Sequence, residues 1–494
     1  MTKRFVEVMF FLITFIGLFT FFAFAHPFVP YDGDDWFFLS PVRAPYPIWG
    51  AWNPIKVLPE TFMPLCGYMA ANWLFPIVGD YIQSITICAA LLFSFTITVY
   101  FFLFYRLFEK KLKLSFASSL LIVFLLILFH FTIFQSNQLE YTHIFHSDNL
   151  TCYFHYTLPA LVNASLVLYL FGYKDFLTEI DFKNWSFLLI LFYLAIFSNI
   201  YHSIILISFI AVTLSIRYMQ EYNKKINLKS ICYFINDNLS WFLVLIIWIV
   251  SLFFEANGGR ANQIGQSIFT LPLKETLICL TGLLRKISII FVIVLLTVGG
   301  IYQVAYRKLQ AKDAIDYLYQ DIIKKCFLCL VLTLVYVTLV SAKAFPNYAG
   351  NTNVAISFIY YLFIILGVTI AYVIKKYPRA VFVLPCICFL VIAQLLNTGG
   401  RFRESNIKNI HPNKCILIDK DLISQVVRVD KTGMEEMILV VPKGDDQDNW
   451  PHPIYMGDNF SKTLFMHGII TQRMKITVKP DVNVNLKYHL NYLK

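Results

Sequence analysis

The chain has 494 residues, enough for three ordinary soluble domains. Hydrophobic residues make up 58% and charged residues only 14%, against roughly 25% charged in a soluble globular protein, so neither a soluble fold nor a disordered chain fits. The net charge of +11 would suit a nucleic-acid binder, but its distribution assigns it to membrane topology, and no nucleic-acid partner is expected. The ten cysteines form no framework. Most lie in or beside apolar runs as small buried hydrophobes, and Cys326-x-x-Cys329 opens such a run with no second pair nearby.

Apolar runs of spanning length fall at about 5–25, 84–105, 115–134, 157–173, 186–199, 201–217, 235–254, 287–304, 326–342, 354–374 and 380–397. The expected fold is therefore an α-helical polytopic membrane protein of about 11 transmembrane helices, spanning 1–397, with a small C-terminal α/β domain at 398–494. With the N-terminus cytoplasmic, the inner loops carry 20 Lys and Arg and the outer loops seven, from Arg43 and Lys56 to Arg285, Lys286 and Lys343. That bias predicts a cytoplasmic N-terminus and an extracytoplasmic tail. Ala23-Phe24-Ala25 resembles a signal-peptidase site, but about 20 apolar residues precede it, so the segment reads as an uncleaved first span.

The polar chemistry gathers on the outer side. The first outer loop, 26–83, holds nine of the nineteen prolines and four of the eight tryptophans, which predicts an ordered loop lying on the membrane surface. Asp32, Asp34 and Asp35 follow the first span directly, and their carboxyls are expected to have raised pKa values unless a cation or donor compensates. Read as extended chain, Asp34 and Asp35 point to opposite sides, one for a reaction centre and one to hold the loop. Residues 135–157 bring Glu140, His143, His146, Asp148 and His155. The spacing His143-x-x-His146-x-Asp148 suits a metal, but aromatic and imidazole groups lining a polar cavity are the preferred reading. Ser198-Asn199 and His202 form a tight hairpin that either binds a ligand or caps two helices. Leu273, Leu277, Leu280 and Leu284 share one face of an expected interfacial helix, and Arg260, just before it, suits a phosphate. Lys343 has the same reading. In the tail, 416–419, 437–442 and 474–478 read as strands alternating with helices, and the intervening GDDQDNW segment lacks a ligand set for calcium.

The order DGDDW, then a Pro/Trp-rich loop with Trp52-Asn53-Pro54-Ile55-Lys56 and Glu60, resembles the membrane-embedded GT-C glycosyltransferases. The likeness is greatest to bacterial serotype-converting enzymes that add glucose to O-antigen. Lys56 stands where that group has Arg, and the SNIYH, NGGRANQ and GDDQDNW segments add to a likeness of layout along most of the chain. The resemblance implies an enzyme of the bacterial plasma (inner) membrane that takes a sugar from a polyprenyl-phosphate carrier on the extracytoplasmic face. The acceptor would be a surface polysaccharide or lipid-linked glycan such as the O-antigen of lipopolysaccharide. A separate flippase and a carrier-loading glycosyltransferase would supply the donor. The general base falls to Asp34 or Asp35, with Asp35 preferred. Arg260, Lys56 and Lys343 would stabilise the phosphate leaving group, and Trp36, Trp49, Trp52 and Tyr46 would stack on sugar faces, with Glu60, His143 and His202 as further binding residues. Some members of the group use a divalent cation such as Mg or Mn, for which Asp32, Asp34, Asp35 and Glu60 are the candidate ligands. Two other classes share features of this pattern: a lipid-linked oligosaccharide flippase, and a polysaccharide polymerase or ligase. The first generally needs ionisable groups at mid-membrane, and the second tends to have arginine-rich outer loops. The expected spans carry essentially none of the former, and the outer loops only Arg43, Arg260 and Arg285.

Overall fold

The protein is described from a computed structural model covering residues 2–42, 53–136, 140–222, 227–257, 271–308 and 313–490. Among these residues ten helices are long and apolar enough to cross a membrane, which makes the chain an α-helical polytopic membrane protein. Nine of them match expected spans. The runs at 115–134 and 186–199 are shorter apolar helices, Phe116–Thr132 and Lys183–Ile196.

The tenth long helix, Pro59–Val78, was expected to be loop. Its prolines disguised it. Pro59 sits in the first turn, where no donor is lost, and Pro64 lies inside the helix. Met63, Cys66, Gly67, Ala70 and Ala71 form the packed face, while Leu65, Tyr68, Trp73 and Ile77 stay exposed. The helix ends at Gly79, whose φ of 73° only glycine adopts without strain, and Tyr81 begins the next helix.

The chain divides into two compact units. The first comprises Met1–Thr98, Ser147–Leu158 and Arg403–Lys494, and the second Val99–His146 and Pro159–Phe402. Residues 403–494 thus share a unit with the N-terminal fifth of the chain.

Within the first unit, helix Pro412–Asp430 is followed by strand Glu436–Pro442, helix Met456–Met466 and strand Lys475–Asp481. The strands pair in parallel, Glu436 against Lys475 through Pro442 against Asp481, as a strand–helix–strand connection requires. The expected strand at 416–419 is helical instead. Cys415, Ile418, Asp419, Leu422 and Val426 are buried at helical spacing, and Leu417 is exposed, so the period is 3.6 and not 2. Gly457 admits the close approach of helix to strand, because a Cβ there would stand 2.2 Å from the Ile476 carbonyl oxygen.

The second unit is built around helix Thr352–Lys376, which is apolar on all sides and largely buried. It packs against Ala314–Ala344, Ile289–Lys308, Phe116–Thr132 and Ile200–Glu221. Helix Leu239–Ala256 is the opposite case: Ile246, Ile249 and Phe253 are exposed, the surface that lipid covers in a bilayer. Helix Leu273–Leu284 forms as expected, but its packed face is Thr276, Leu280 and Leu283, and Leu273, Leu277 and Leu284 face outward.

Candidate functional site

The acidic motif is helical, not extended. Asp32 caps helix Gly33–Phe38 and Asp35 occupies its third position, closing a reciprocal capping box. The Asp35 N–H donates to Asp32 Oδ1 at 3.1 Å, and the Asp32 N–H reaches Asp35 Oδ2 at 3.5 Å. Asp35 Oδ2 also accepts from the Tyr31 N–H at 2.9 Å. Its Oδ1 accepts from the N–H and hydroxyl of Thr151 at 2.7 and 2.8 Å. A carboxylate has about four lone-pair sites, so four donors fill Asp35. Burial pushes its pKa up to about 6, against the pull of those donors.

Asp32 is equally enclosed. Its Oδ2 accepts from Asn149 Nδ2 at 2.6 Å, while Asn149 Oδ1 caps the turn Leu150–Cys152 by accepting from the Cys152 N–H. Burial, followed by the charges of Asp35 and Asp34, raises the Asp32 carboxyl well above its usual range. Asn149 and Thr151, which hold the motif, were not among the expected site residues. They lie between Asp148 and His155 in a segment singled out for its ionisable groups, and amides and hydroxyls carry no spacing signature there.

The tail completes the surroundings. The Gly33 N–H donates to the Pro451 carbonyl at 3.0 Å, and a Cβ at Gly33 would stand 2.6 Å from Pro453. The His452 ring meets Tyr31 edge-on at 5.0 Å. The GDDQDNW segment fixes this approach. Asn449, at φ 58°, accepts from the Gly444 N–H and donates to the Pro442 and His452 carbonyls. Asp445 pairs with Lys408 at 2.7 Å, and Asp446 accepts from the Trp450 N–H. Asp419, on helix Pro412–Asp430, is wholly buried near Asp35 and Asp32. Burial and then their charges raise its carboxyl well above the usual range. Two more contacts anchor the tail: Arg403 to Asp148 at 2.7 Å, and Glu404 to His26 at 3.1 Å.

Asp34 is the half-buried member of the motif. Tyr455 stands near it, its phenol pushed up to about 12 by burial and the charges of Asp34, Asp32 and Asp448. Trp36 is wholly buried, edge-on to Phe460 at 4.6 Å, so its ring packs the helix and offers no open face for stacking. Lys56 lies in the turn before helix Pro59–Met69 with φ 61°, and Glu60 is buried in that helix's first turn. Trp52, Trp49, Tyr46, Arg43 and Arg260 lie outside the described residues.

The remaining expected site residues belong to the second unit. His143 is buried among Phe131, Phe145, His146 and Phe402. Asn199 caps helix Ile200–Glu221 by accepting from the Tyr201 N–H at 2.8 Å. His202 shares a 2.8 Å hydrogen bond with Ser357, which also donates to the Tyr201 carbonyl. Lys343 is half-buried in the last turn of helix Ala314–Ala344.

Asp35's oxygens are filled by donors and each oxygen of Asp32 already accepts one. Among the described residues no group of three or more His, Cys, Asp or Glu is arranged around a common metal position. In comparison with known proteins, the chain matches no family model, no curated protein and no solved structure.

Proposed function

We propose that the protein is a membrane glycosyltransferase that moves a sugar from a polyprenyl-phosphate carrier to a glycan hydroxyl on the extracytoplasmic face, with Asp34 as general base. The observation that carries the reading is the division of labour within Asp32–Asp35. Asp35, whose acceptor sites are filled, holds the helix, and Asp34 beside it is half-buried. This reverses the preference for Asp35 drawn from the sequence. A base needs a lone pair for the incoming proton, and Asp35 has none to offer.

In the proposed step the acceptor hydroxyl attacks the anomeric carbon while Asp34 takes its proton. The carbon–oxygen bond to the carrier breaks, and the electron pair leaves on the polyprenyl phosphate. A phosphate is a good leaving group, so cationic stabilisation matters more than acid catalysis. Lys56, in the same unit as the motif, is assigned that role. The excess of Lys and Arg in the inner loops supports a cytoplasmic N-terminus and an extracytoplasmic motif. Sugar, acceptor and bacterial membrane follow from the resemblance in layout.

The test is donor consumption. Full-length protein in liposomes containing polyprenyl-phosphate hexoses is incubated with glycan acceptors, and the lipid extract is analysed by mass spectrometry. Wild type converts the sugar-loaded carrier to free polyprenyl phosphate with a matching increment on the acceptor. Asp34→Asn lowers the rate by about 10²–10⁴-fold. A rate unchanged in Asp34→Asn overturns the assignment of the base. Intact carrier with every hexose and acceptor overturns the transfer.

A further inference from the structure

Helix Pro59–Val78 is long enough to span a bilayer, at 20 residues and about 30 Å, yet its contacts hold it on one side of the membrane. The next helix fixes the level of its C-terminal end. Helix Tyr81–Arg106 follows after only Gly79 and Asp80. Thr86, in its second turn, donates its hydroxyl to the Phe28 carbonyl at 2.8 Å. Phe28 lies just past Ala25, where the first span ends, so the Gly79–Asp80 turn stands on the same side as the Asp32–Asp35 motif. The middle of the helix is on that side too. A Cβ at Gly67 would stand 3.0 Å from the carbonyl oxygen of Leu39, which caps the motif helix, and 2.8 Å from His467 of the tail. About 20 Å of helix separates Gly67 from Asp80, and the tail meets both ends of that stretch. His467 also shares a 2.5 Å hydrogen bond with Tyr81, and Lys420 pairs with Asp80.

The other face of the helix has no protein against it. Leu65, Tyr68, Trp73 and Ile77 are exposed, Trp73 at 64% and Ile77 at 81%. Between Glu60 and Asp80 the chain has no Asp, Glu, Lys, Arg or His, so nothing on this face suits water. Tyr and Trp are the side chains that favour a membrane–water interface. The number of crossings agrees. Among the described residues, the ten long apolar helices and the two shorter ones would make twelve crossings, and an even number returns the tail to the side of the N-terminus. It would also put most of the Lys- and Arg-rich loops opposite Lys3 and Arg4. Eleven crossings, without Pro59–Val78, keep those loops beside the N-terminus and the tail opposite it.

We propose that helix Pro59–Val78 is a lipid-docking helix that lies in the headgroup–acyl boundary on the motif's side of the bilayer. Leu65, Tyr68, Trp73 and Ile77 enter the upper acyl chains, and the Gly67 face carries the tail. The partner is the apolar part of the leaflet and not an anionic headgroup, since the helix offers no cation. Docking holds the tail against the membrane beside the motif through His467 and Lys420.

Two measurements on the full-length protein test this. In nanodiscs of phosphatidylcholine brominated either near the headgroup or near the chain ends, Trp fluorescence is compared between wild type and Trp73→Phe, which isolates position 73. Adding Tyr68→Trp to Trp73→Phe isolates position 68, near the middle of the helix. Both side chains are exposed, so the fold survives these changes. Both positions lose more fluorescence to bromine near the headgroup. Position 68 quenched mainly by bromine at the chain ends would mean a crossing helix and overturns the proposal, and so does the absence of quenching at both positions. In right-side-out and inside-out membrane vesicles, a membrane-impermeant maleimide is then applied to Thr2→Cys, Gln83→Cys and Lys431→Cys, and the labelled peptides are identified by mass spectrometry. Gln83→Cys reacts from the same face as Lys431→Cys in the tail, and Thr2→Cys from the other. Reaction of Gln83→Cys from the face of Thr2→Cys overturns the proposal.

Discussion

Helix Thr352–Lys376 of the second unit and helix Pro412–Asp430 of the first both bury polar side chains, some bonded to a neighbouring helix and some, such as Asn353 Oδ1 and Asp419, with no hydrogen-bond partner among the described residues. In the former, Ser357 donates to the Tyr201 carbonyl, the Tyr360 hydroxyl to the Ala164 carbonyl, and Tyr361 to the Ile205 carbonyl. Each of these joins the helix to a neighbour, so polarity acts as adhesive between apolar surfaces. In the latter, Asp419 sits on the packed stripe with both oxygens unpartnered, beside two further carboxyls. A polar group that binds its own fold stabilises it, and one that does not is a cost that function can explain.

Four substitutions sharpen this contrast. The largest loss of stability is expected from Asp35→Ala, which strands the Tyr31 N–H and both Thr151 donors in a buried setting. It should cost about 3–5 kcal/mol, read from thermal or denaturant unfolding in detergent. A loss under about 1 kcal/mol would show that Asp35 does not hold the motif.

Asp419→Asn should act in the opposite direction, with an effect that depends on pH. The folded-state pKa of Asp419 is raised, so its contribution is fully present below the unfolded value near 4 and is lost as pH rises through the folded value. Asparagine does not titrate. The variant should therefore gain on wild type by about 1.4 kcal/mol per pH unit as pH rises from 4 toward the folded pKa. Parallel stability–pH curves would mean that Asp419 is ionised and satisfied in the folded protein.

Tyr360→Phe should cost about 0.6–1.7 kcal/mol and show no such pH dependence, as a membrane-embedded hydrogen bond between helices does. The smallest change in stability belongs to Asp34→Asn, within about 0.5 kcal/mol of wild type. A loss comparable to that of Asp35→Ala would place Asp34 in the scaffold and remove it as a base.

The two regions were unequally legible in the sequence. Apolar runs at 201–217 and 354–374 announce their helices, because in a bilayer protein hydropathy and span length nearly coincide. The pairing of His202 with Ser357 did not show, since it joins residues 155 apart. In the first unit, DGDDW stood out as acidic, yet its capping box escaped a reading of the segment as extended chain. Helix Pro59–Val78 escaped because Pro and Trp read as loop chemistry. Asp419 left a trace that was misread: at the spacing of Cys415, Ile418, Leu422 and Val426 it lies on the buried face of a helix, but ILID at 416–419 is also a short apolar run that reads as a strand.

The sequence by itself determined that the chain enters a membrane, roughly where its helices run and where its carboxylates follow the first span. Hydropathy and charge are properties of short windows, and a window is enough to read them. Only the tertiary structure decided which of those carboxylates are buried and hydrogen-bonded, and which distant residues hold them. Asn149, Thr151 and His452 reach the motif from segments more than 100 residues away, through hydrogen bonds and ring packing that exist only once the chain has folded.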